Sequence, residues 1–589
     1  MNANQKNVMG HFFGRFWIGI YLIIVLTLVG ASLLAVSSTR AASKVAAATP
    51  TLVVNANQVL QAVTHVASGG LYGLGTDATP PDSLVTPLHP KEFVQMAPGG
   101  KQLPNGETTP GGDALVVAPK AARAGAVVAI RMPDYYPNFP YKWVSWSNWL
   151  GAVDAQIAAR KAATSVTNIK SWELWNEPDW TWDTTNAGSF NAGWVRTFNE
   201  VRSKDATTPI QGPSISTYNA SYMSSFLTYA KANNALPNII SWHELSGQGN
   251  IAADISAYRT LEKSLAIGPL PIDIEEYAEP SEVGVPGSLV GYISKFERGG
   301  VTDAELAFWN QYGTFDDLVV NGNQPNGGWW MYKWYGDMSG NMLVTTPPAQ
   351  TGLDGAASIN SAKNQVSVIT GGGSGTNDIT INGLSSFSAF GSSATVTLEY
   401  VASAGRTTAV TGTTVLSVAN YPITNGSITV PITNMDSAGG YRIQVTPTSS
   451  ALYDKIVNKN SGLVLGIANA STAVGAQALQ WSDSGTADHL WQFVDAGSGY
   501  VKIVNKNSGL VLGITNASTA AGAVALQWSD NGTADHLWQI VNAGGGYVKI
   551  VNKNSGLVLG ITNASTAAGV VALQWSDNGT ADHLWQIQS

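Results

Sequence analysis

Two segments of this sequence run short apolar stretches into carboxylates: Ser171-Trp172-Glu173-Leu174-Trp175-Asn176-Glu177-Pro178-Asp179 and Pro271-Ile272-Asp273-Ile274-Glu275-Glu276-Tyr277. Folded face to face, such a pair can cleave an acetal. One carboxyl hands a proton to the departing oxygen while the other faces, or attacks, the developing cation. The donor must keep its proton near neutral pH, which an apolar wall or a second carboxylate favours. Trp172, Trp175 and Trp180 are the candidates for a wall beside Glu177. Taken singly, a glutamate ending a strand is more often solvated or salt-bridged. Glu275 and Glu276 both stand open as the second group, because both faces of a barrel strand are apolar and alternation does not separate them.

The elements that must position these groups alternate in type. Residues 126–131, 170–176 and 210–214 read as strands, and 149–163, 187–205 and 221–233 as helices. The alternation runs on to 304–309. Strand–helix alternation over a stretch this long predicts a parallel (β/α)₈ TIM barrel over 46–338. An open doubly wound sheet is the alternative, but no G-x-G-x-x-G follows the first strand. In a barrel, chemistry sits at the C-terminal ends of the strands, where both carboxylate segments end. Residues 339–447 read as short β runs (365–369, 378–381, 394–401, 413–418, 427–432 and 441–445) with almost no helix, which predicts a β-sandwich. The stretch 446–450 reads as a linker.

Beyond it the sequence repeats. Trp481, Trp528 and Trp575 recur every 47 residues, as do Tyr453, Tyr500 and Tyr547. Each unit alternates short apolar runs with Asn-Gly-Ser turns, so each is a few strands. Propellers need at least four blades and only three units exist, so the pattern predicts a β-trefoil over 448–589.

Composition limits the function. The 589 residues are 44% hydrophobic and only 12% charged, a packed-core composition of several domains. The net charge of −8, with no basic cluster beyond the N-terminus, argues against a nucleic-acid partner. No cysteine is present, which excludes disulfides, zinc–thiolate sites and cysteine nucleophiles. Twenty tryptophans is a high count, open to two readings: core packing, which must explain many of them, and stacking against the C–H faces of sugar rings. Lys6 and Arg15 precede an apolar run over 16–36 and small residues over 35–42. Residues 1–45 therefore read as a signal peptide or, given the length of the run, a membrane anchor. Either places the bulk of the chain outside the cytoplasm.

N-E-P ending a fourth strand, with E-Y about 100 residues later at a seventh, resembles the clan of retaining (β/α)₈ glycosidases with two catalytic glutamates. Within it the sequence is most similar to glycoside hydrolase family 39, through the barrel-then-sandwich order and Ile240-Ser241-Trp242-His243 at the sixth strand. The resemblance covers about 60–447, strongly at the catalytic motifs and weakly over the first three strands. It implies that Glu177 is the acid/base, that Glu276, directly before the aromatic Tyr277, is the nucleophile, and that Asn176 holds the sugar 2-hydroxyl. It further implies substrate contacts for His243, Tyr277 and Trp309. Asp134 and Tyr135, ending the third strand, are further candidates, and Glu244 a weaker one. The repeats resemble the ricin B-type lectin domain through Ser471-Thr472-Ala473-Val474-Gly475 and Trp481, with two departures. The sugar-gripping Asp of that family is Gly466, Gly513 and Gly560, and its N-Q-x-W is Asp488-His489-Leu490-Trp491 and copies. The lectin-site candidates are therefore Trp481, Asp488 and His489; Trp528, Asp535 and His536; and Trp575, Asp582 and His583. The second tryptophan of each unit, Trp491, Trp538 and Trp585, reads as core. The expectation is a secreted glycosidase with a lectin module, needing no metal or organic cofactor and acting on a polysaccharide or oligosaccharide. A non-catalytic carbohydrate-binding protein with an inactive barrel is the alternative.

Overall fold

A computed structural model describes residues 48–588, apart from 104, 106, 321, 449–452, 497 and 498. The expected signal or anchor over 1–45 lies outside the described residues. Eight parallel strands close a barrel in sequence order. They are β1 (Gly69–Leu71), β2 (Glu92–Met96), β3 (Val127–Arg131), β4 (Ile169–Glu173), β5 (Ile210–Ile215), β6 (Ile239–Glu244), β7 (Ile272–Tyr277) and β8 (Asp303–Leu306). Helices such as Trp146–Ala162, Phe190–Lys204 and Ala220–Ala232 return the chain between strands. Their starts are fixed by Ser145, Ser189 and Asn219, whose side chains accept hydrogen bonds from otherwise unpaired first-turn amides. The barrel floor is polar: the Lys170 ammonium pairs with Glu92 and, at 2.7 Å, with Asp303.

The strand β7 carries one extra residue. Ser241 of β6 pairs with Asp273, yet His243 pairs with Glu276, and the same slip recurs against β8 between Ile274 and Tyr277. A β-bulge of this kind re-aims side chains. Asp273 and Glu275 meet Lys170 and Gln211 inside the barrel, Glu276 faces the cleft at its mouth, and Tyr277 turns outward.

The region after the barrel is a nine-stranded sheet wrapped around its own core, which includes Ile379, Val396, Val430 and Ile443. All six short β runs expected there are strands, and Asn341–Thr346 and Asp354–Ile359 join them. The boundary expected at residue 46 needs correction. Thr51–Ala62, assigned to the barrel from sequence, pairs with Asn341–Thr346 and Gly375–Asn382 in this sheet. Its alternating Leu52, Val54 and Ala56 enter the sheet's core, so the first strand among the described residues completes the second domain. The expected linker also starts later, since strand Gly440–Pro447 runs through its first two residues.

The C-terminal repeats form a twelve-stranded trefoil, four strands per repeat. It closes where Lys455–Asn458 pairs with Trp585–Gln588. Trp491, Trp538 and Trp585 are fully buried around the axis, their indole N–H groups donating to the carbonyls of Leu465, Leu512 and Leu559.

Candidate active site and lectin sites

Glu177 and Glu276 meet at the C-terminal mouth of the barrel. A carboxylate oxygen of each and a ring nitrogen of His243 lie within 4.8 Å of one another. The strand expected over 170–176 stops at Glu173, and Glu177 follows in the loop beyond it in the left-handed conformation (φ 51°), rare for a residue with a side chain. Its amide donates to the Ser214 carbonyl at 2.8 Å, and Pro178 begins a helical turn directly after it. Its Oε2 accepts from the indole N–H of Trp180 at 2.8 Å, and its Oε1 lies 3.1 Å from His243 Nδ1. His243 is fully buried between the carboxylates, its Nε2 3.9 Å from Glu276. Burial opposes charge on this ring, but the Glu276 carboxylate and the bond to Glu177 outweigh it and raise its pKa above the ordinary imidazole value.

Glu276 accepts from Arg131 Nη1 at 2.6 Å, and the same guanidinium donates through Nε to Glu173 at 2.7 Å. Burial pushes the Glu173 carboxyl well above the usual carboxylate range, with Arg131 pulling the other way. Glu275 is wholly buried and accepts from Gln211, whereas the Glu276 side chain keeps 12% of its surface open and lines the cleft. The cleft, of about 280 Å³, is also lined by Tyr72, Asn176, Trp180, Phe308 and Trp309. Asn176 Oδ1 is buried with no hydrogen-bond partner among the described residues and is available to a ligand hydroxyl. Trp309 is held by its N–H donating to the Ala278 carbonyl at 3.2 Å.

Other candidates lie elsewhere. Tyr277 is buried on the outside of the barrel, ringed by Tyr292 and Phe296, with its hydroxyl donating to the Ala67 carbonyl; the bulge has turned it away from the cleft. Asp134 sits behind the cleft wall, accepting from the Tyr72 hydroxyl at 2.6 Å and the Tyr141 hydroxyl at 3.0 Å. Burial pushes its carboxyl up to about 7, against the pull of Arg131. Tyr135 packs on Tyr136 and Lys101. Glu244 accepts from Trp242 and does not line the cleft. Of the expected tryptophan wall only Trp180 touches Glu177: Trp172 donates to Asp205, and Trp175 packs on Trp182. Sequence reading missed Arg131 and Tyr72. Arg131 stood beside Asp134 in the motif at the end of β3, but nothing local showed that it would reach a glutamate 145 residues away.

Among the described residues, two clusters could geometrically hold a cation, Glu177–His243–Glu276 and Glu92–Asp273–Glu305. Side-chain cations already serve both: Arg131 pairs with Glu276, and Lys170 with Glu92 and Asp273.

In the trefoil, Trp481, Trp528 and Trp575 each stand more than 40% exposed, while the Asp and His of each repeat are buried. Grooves of about 370 Å³ and 250 Å³ are lined by Trp528, Asp535 and His536 and by Trp575, Asp582 and His583. Asp488, Asp535 and Asp582 each keep one buried oxygen without a partner among the described residues. The glycine departure has a steric reason. A Cβ on Gly466 would lie 2.4 Å from the His489 ring, and Gly513 and Gly560 stand in the same relation to His536 and His583. The imidazole fills the space that an aspartate on the strand would need, and the carboxylate comes instead from the residue before it.

These features have counterparts in known proteins. The chain is 36% identical to N2152 from Neocallimastix frontalis, whose solved structure it matches over 68% of its own length and all of the other, with a TM-score of 0.64. The chain belongs to the same family as N2152. It is also 27% identical over 515 residues to a 3-O-beta-L-arabinopyranosyl-alpha-L-arabinofuranosidase of Bifidobacterium pseudocatenulatum, covering 74% of this chain and 51% of the relative. A 3-O-alpha-D-galactosyl-alpha-L-arabinofuranosidase of Bifidobacterium longum subsp. longum is 27% identical over 492 residues, 71% of this chain and 42% of that one. The chain thus spans about half the length, or less, of these curated relatives. Residues 438–528 and 534–589 match the family described as ricin-type beta-trefoil lectin domain-like.

Proposed function

We propose that the protein is a retaining glycosidase that acts on α-L-arabinofuranosides and is tethered to its substrate by the trefoil. The observation that carries this reading is the approach of Glu177 and Glu276 to within 4.8 Å across the cleft. Retaining pairs stand about 5–5.5 Å apart and inverting pairs about 6.5–9.5 Å, because an inverting site must admit a water between base and sugar. Glu276 attacks the anomeric carbon while Glu177 protonates the departing oxygen. Glu177 then takes a proton from the water that frees the sugar from Glu276. The asymmetry of their partners suits these roles. Glu276 carries the guanidinium of Arg131, a partner for a nucleophilic carboxylate, and Glu177 is set by Trp180 and His243. Asn176 would bind a sugar hydroxyl, and Trp309 would lie against the ring. The sugar class comes from the names of the two curated relatives.

In the trefoil, Trp481, Trp528 and Trp575 would stack on sugar rings while Asp488, Asp535 and Asp582 accept from their hydroxyls. Three weak sites on one chain raise the local concentration of polymer at the barrel. The leader-like residues 1–45 support action outside the cytoplasm.

The test is hydrolysis of an aryl α-L-arabinofuranoside followed by proton NMR. The first-formed sugar should keep the anomeric configuration of the substrate, and Glu177→Gln should slow poor leaving groups by about 10²–10⁴-fold while sparing activated ones. Inverted product, or no turnover of any aryl glycoside, overturns the reading.

A further inference from the structure

We infer that the barrel floor binds a structural calcium ion through Glu92, Asp273 and Glu305, at the end of the barrel away from the cleft. The inference does not depend on the glycosidase reading. Glu92 and Asp303 are the first residues of β2 and β8, and Asp273 is the second of β7, so the cluster lies toward the N-terminal ends of the strands. All three carboxylates are wholly buried, and one oxygen of each lies within 4.8 Å of the other two. Oxygens that share a calcium stand about 2.3–2.6 Å from it and so no more than twice that from each other. The spacing admits the ion.

Side-chain cations answer only part of this cluster. The three protons of the Lys170 ammonium go to Glu92, to Asp273 at 3.3 Å and to Asp303 at 2.7 Å, which leaves none for Glu305. Lys91 donates to the Thr302 carbonyl and pairs with Asp303 at 3.4 Å. Four buried oxygens remain without a hydrogen-bond partner among the described residues: Glu92 Oε1, Asp273 Oδ1 and both of Glu305. Buried charges are ordinarily paired or coordinate a metal. Here four carboxylates face two ammonium groups, and the two negative charges left over match one divalent ion. Asp273 and Glu305 are also in hydrogen-bond contact, and two carboxyls that close repel unless a proton or a cation lies between them. One shared proton would satisfy two of the four oxygens, whereas one hard cation can take all four. The donors are oxygen alone, which suits calcium or magnesium rather than a transition metal. Magnesium keeps several of its waters, so a buried carboxylate cage favours calcium. Gly69 of β1 leaves the room: a Cβ there would lie 2.7 Å from Glu305 Oε1.

The experiment strips the full chain with a chelator, returns it to calcium chloride, and measures bound calcium and thermal melting. The melting midpoint should rise with calcium concentration, because an ion that binds only the folded chain stabilises it by mass action. Glu305→Gln keeps the side-chain volume and removes the charge; it should bind one calcium fewer per chain than the wild type and lose the calcium-dependent rise. Glu92→Gln serves as the second variant where Glu305→Gln does not fold. A wild-type chain that takes up no calcium, or that melts alike in calcium and in chelator, overturns the site and leaves the carboxyls sharing protons. A folded variant that binds as much calcium as the wild type, with the same rise in melting, overturns it too.

Discussion

The guanidinium of Arg131 reaches from the end of β3 to the carboxylate of Glu276 at the end of β7, 2.6 Å away. Only 1% of the Arg131 side chain is exposed, so solvent screens this pair little. Removing one partner of a buried, hydrogen-bonded pair leaves the other uncompensated, at a cost of about 3–5 kcal/mol. Arg131→Ala is therefore expected to lower both thermal stability and kcat. Arg131→Lys, which cannot reach Glu173 and Glu276 together as a fork does, should restore part of the stability and little of the kcat. Calorimetric melting beside steady-state kinetics measures both, and a variant with unaltered kcat would remove Arg131 from the site.

Glu276→Ala should abolish turnover, and azide should restore it with product of inverted configuration, because a small anion can occupy the room left by the carboxylate. Glu275→Gln should stay active, since that side chain is spent inside the barrel on Gln211. Azide rescue in Glu275→Ala and not in Glu276→Ala would exchange the two roles.

Asp134 makes stability depend on pH. Its carboxyl is held up to about 7 in the folded chain, whereas an unfolded aspartate titrates near 4. Between these values the unfolded chain gives up the proton first, so this group's contribution is full below about pH 4 and is lost as pH rises toward 7. The slope approaches about 1.4 kcal/mol per pH unit. Asp134→Asn should flatten that part of the profile, and urea unfolding at pH 4.5 and 7 compares the two. A profile as steep in the variant would place the titration elsewhere.

Gly513→Ala should disable the second lectin groove without unfolding the trefoil, because the new methyl would press on the His536 ring at 2.4 Å. Retention on immobilised polysaccharide should fall, and fall much further when the equivalent changes are made at Gly466 and Gly560, as expected for sites that act together. Unchanged retention in the triple variant would move binding away from these grooves.

Trp538→Ala tests the trefoil core rather than its grooves. Deleting a fully buried tryptophan should cost about 3–5 kcal/mol. The effect should be read in a melting transition, with hydrolysis of small glycosides unaffected.

Much of this protein is set by local pattern. Strand–helix alternation gave the barrel, and the 47-residue period gave the trefoil. These features repeat over short spans, where hydrophobic spacing and turn residues are sufficient. Three matters were decided only by contacts between distant parts of the chain. The bulge in β7 depends on how that strand pairs with β6 and β8, and it alone brings Glu276 into the cleft and turns Tyr277 out. The strand Thr51–Ala62 belongs to a sheet whose other members begin only at Asn341, beyond the whole barrel, so no local signal could separate it from the barrel. The glycine at each lectin groove became intelligible only once His489, His536 and His583 were seen filling its space. Periodicity reports which face of an element is apolar; it carries no information about the partner that face will meet.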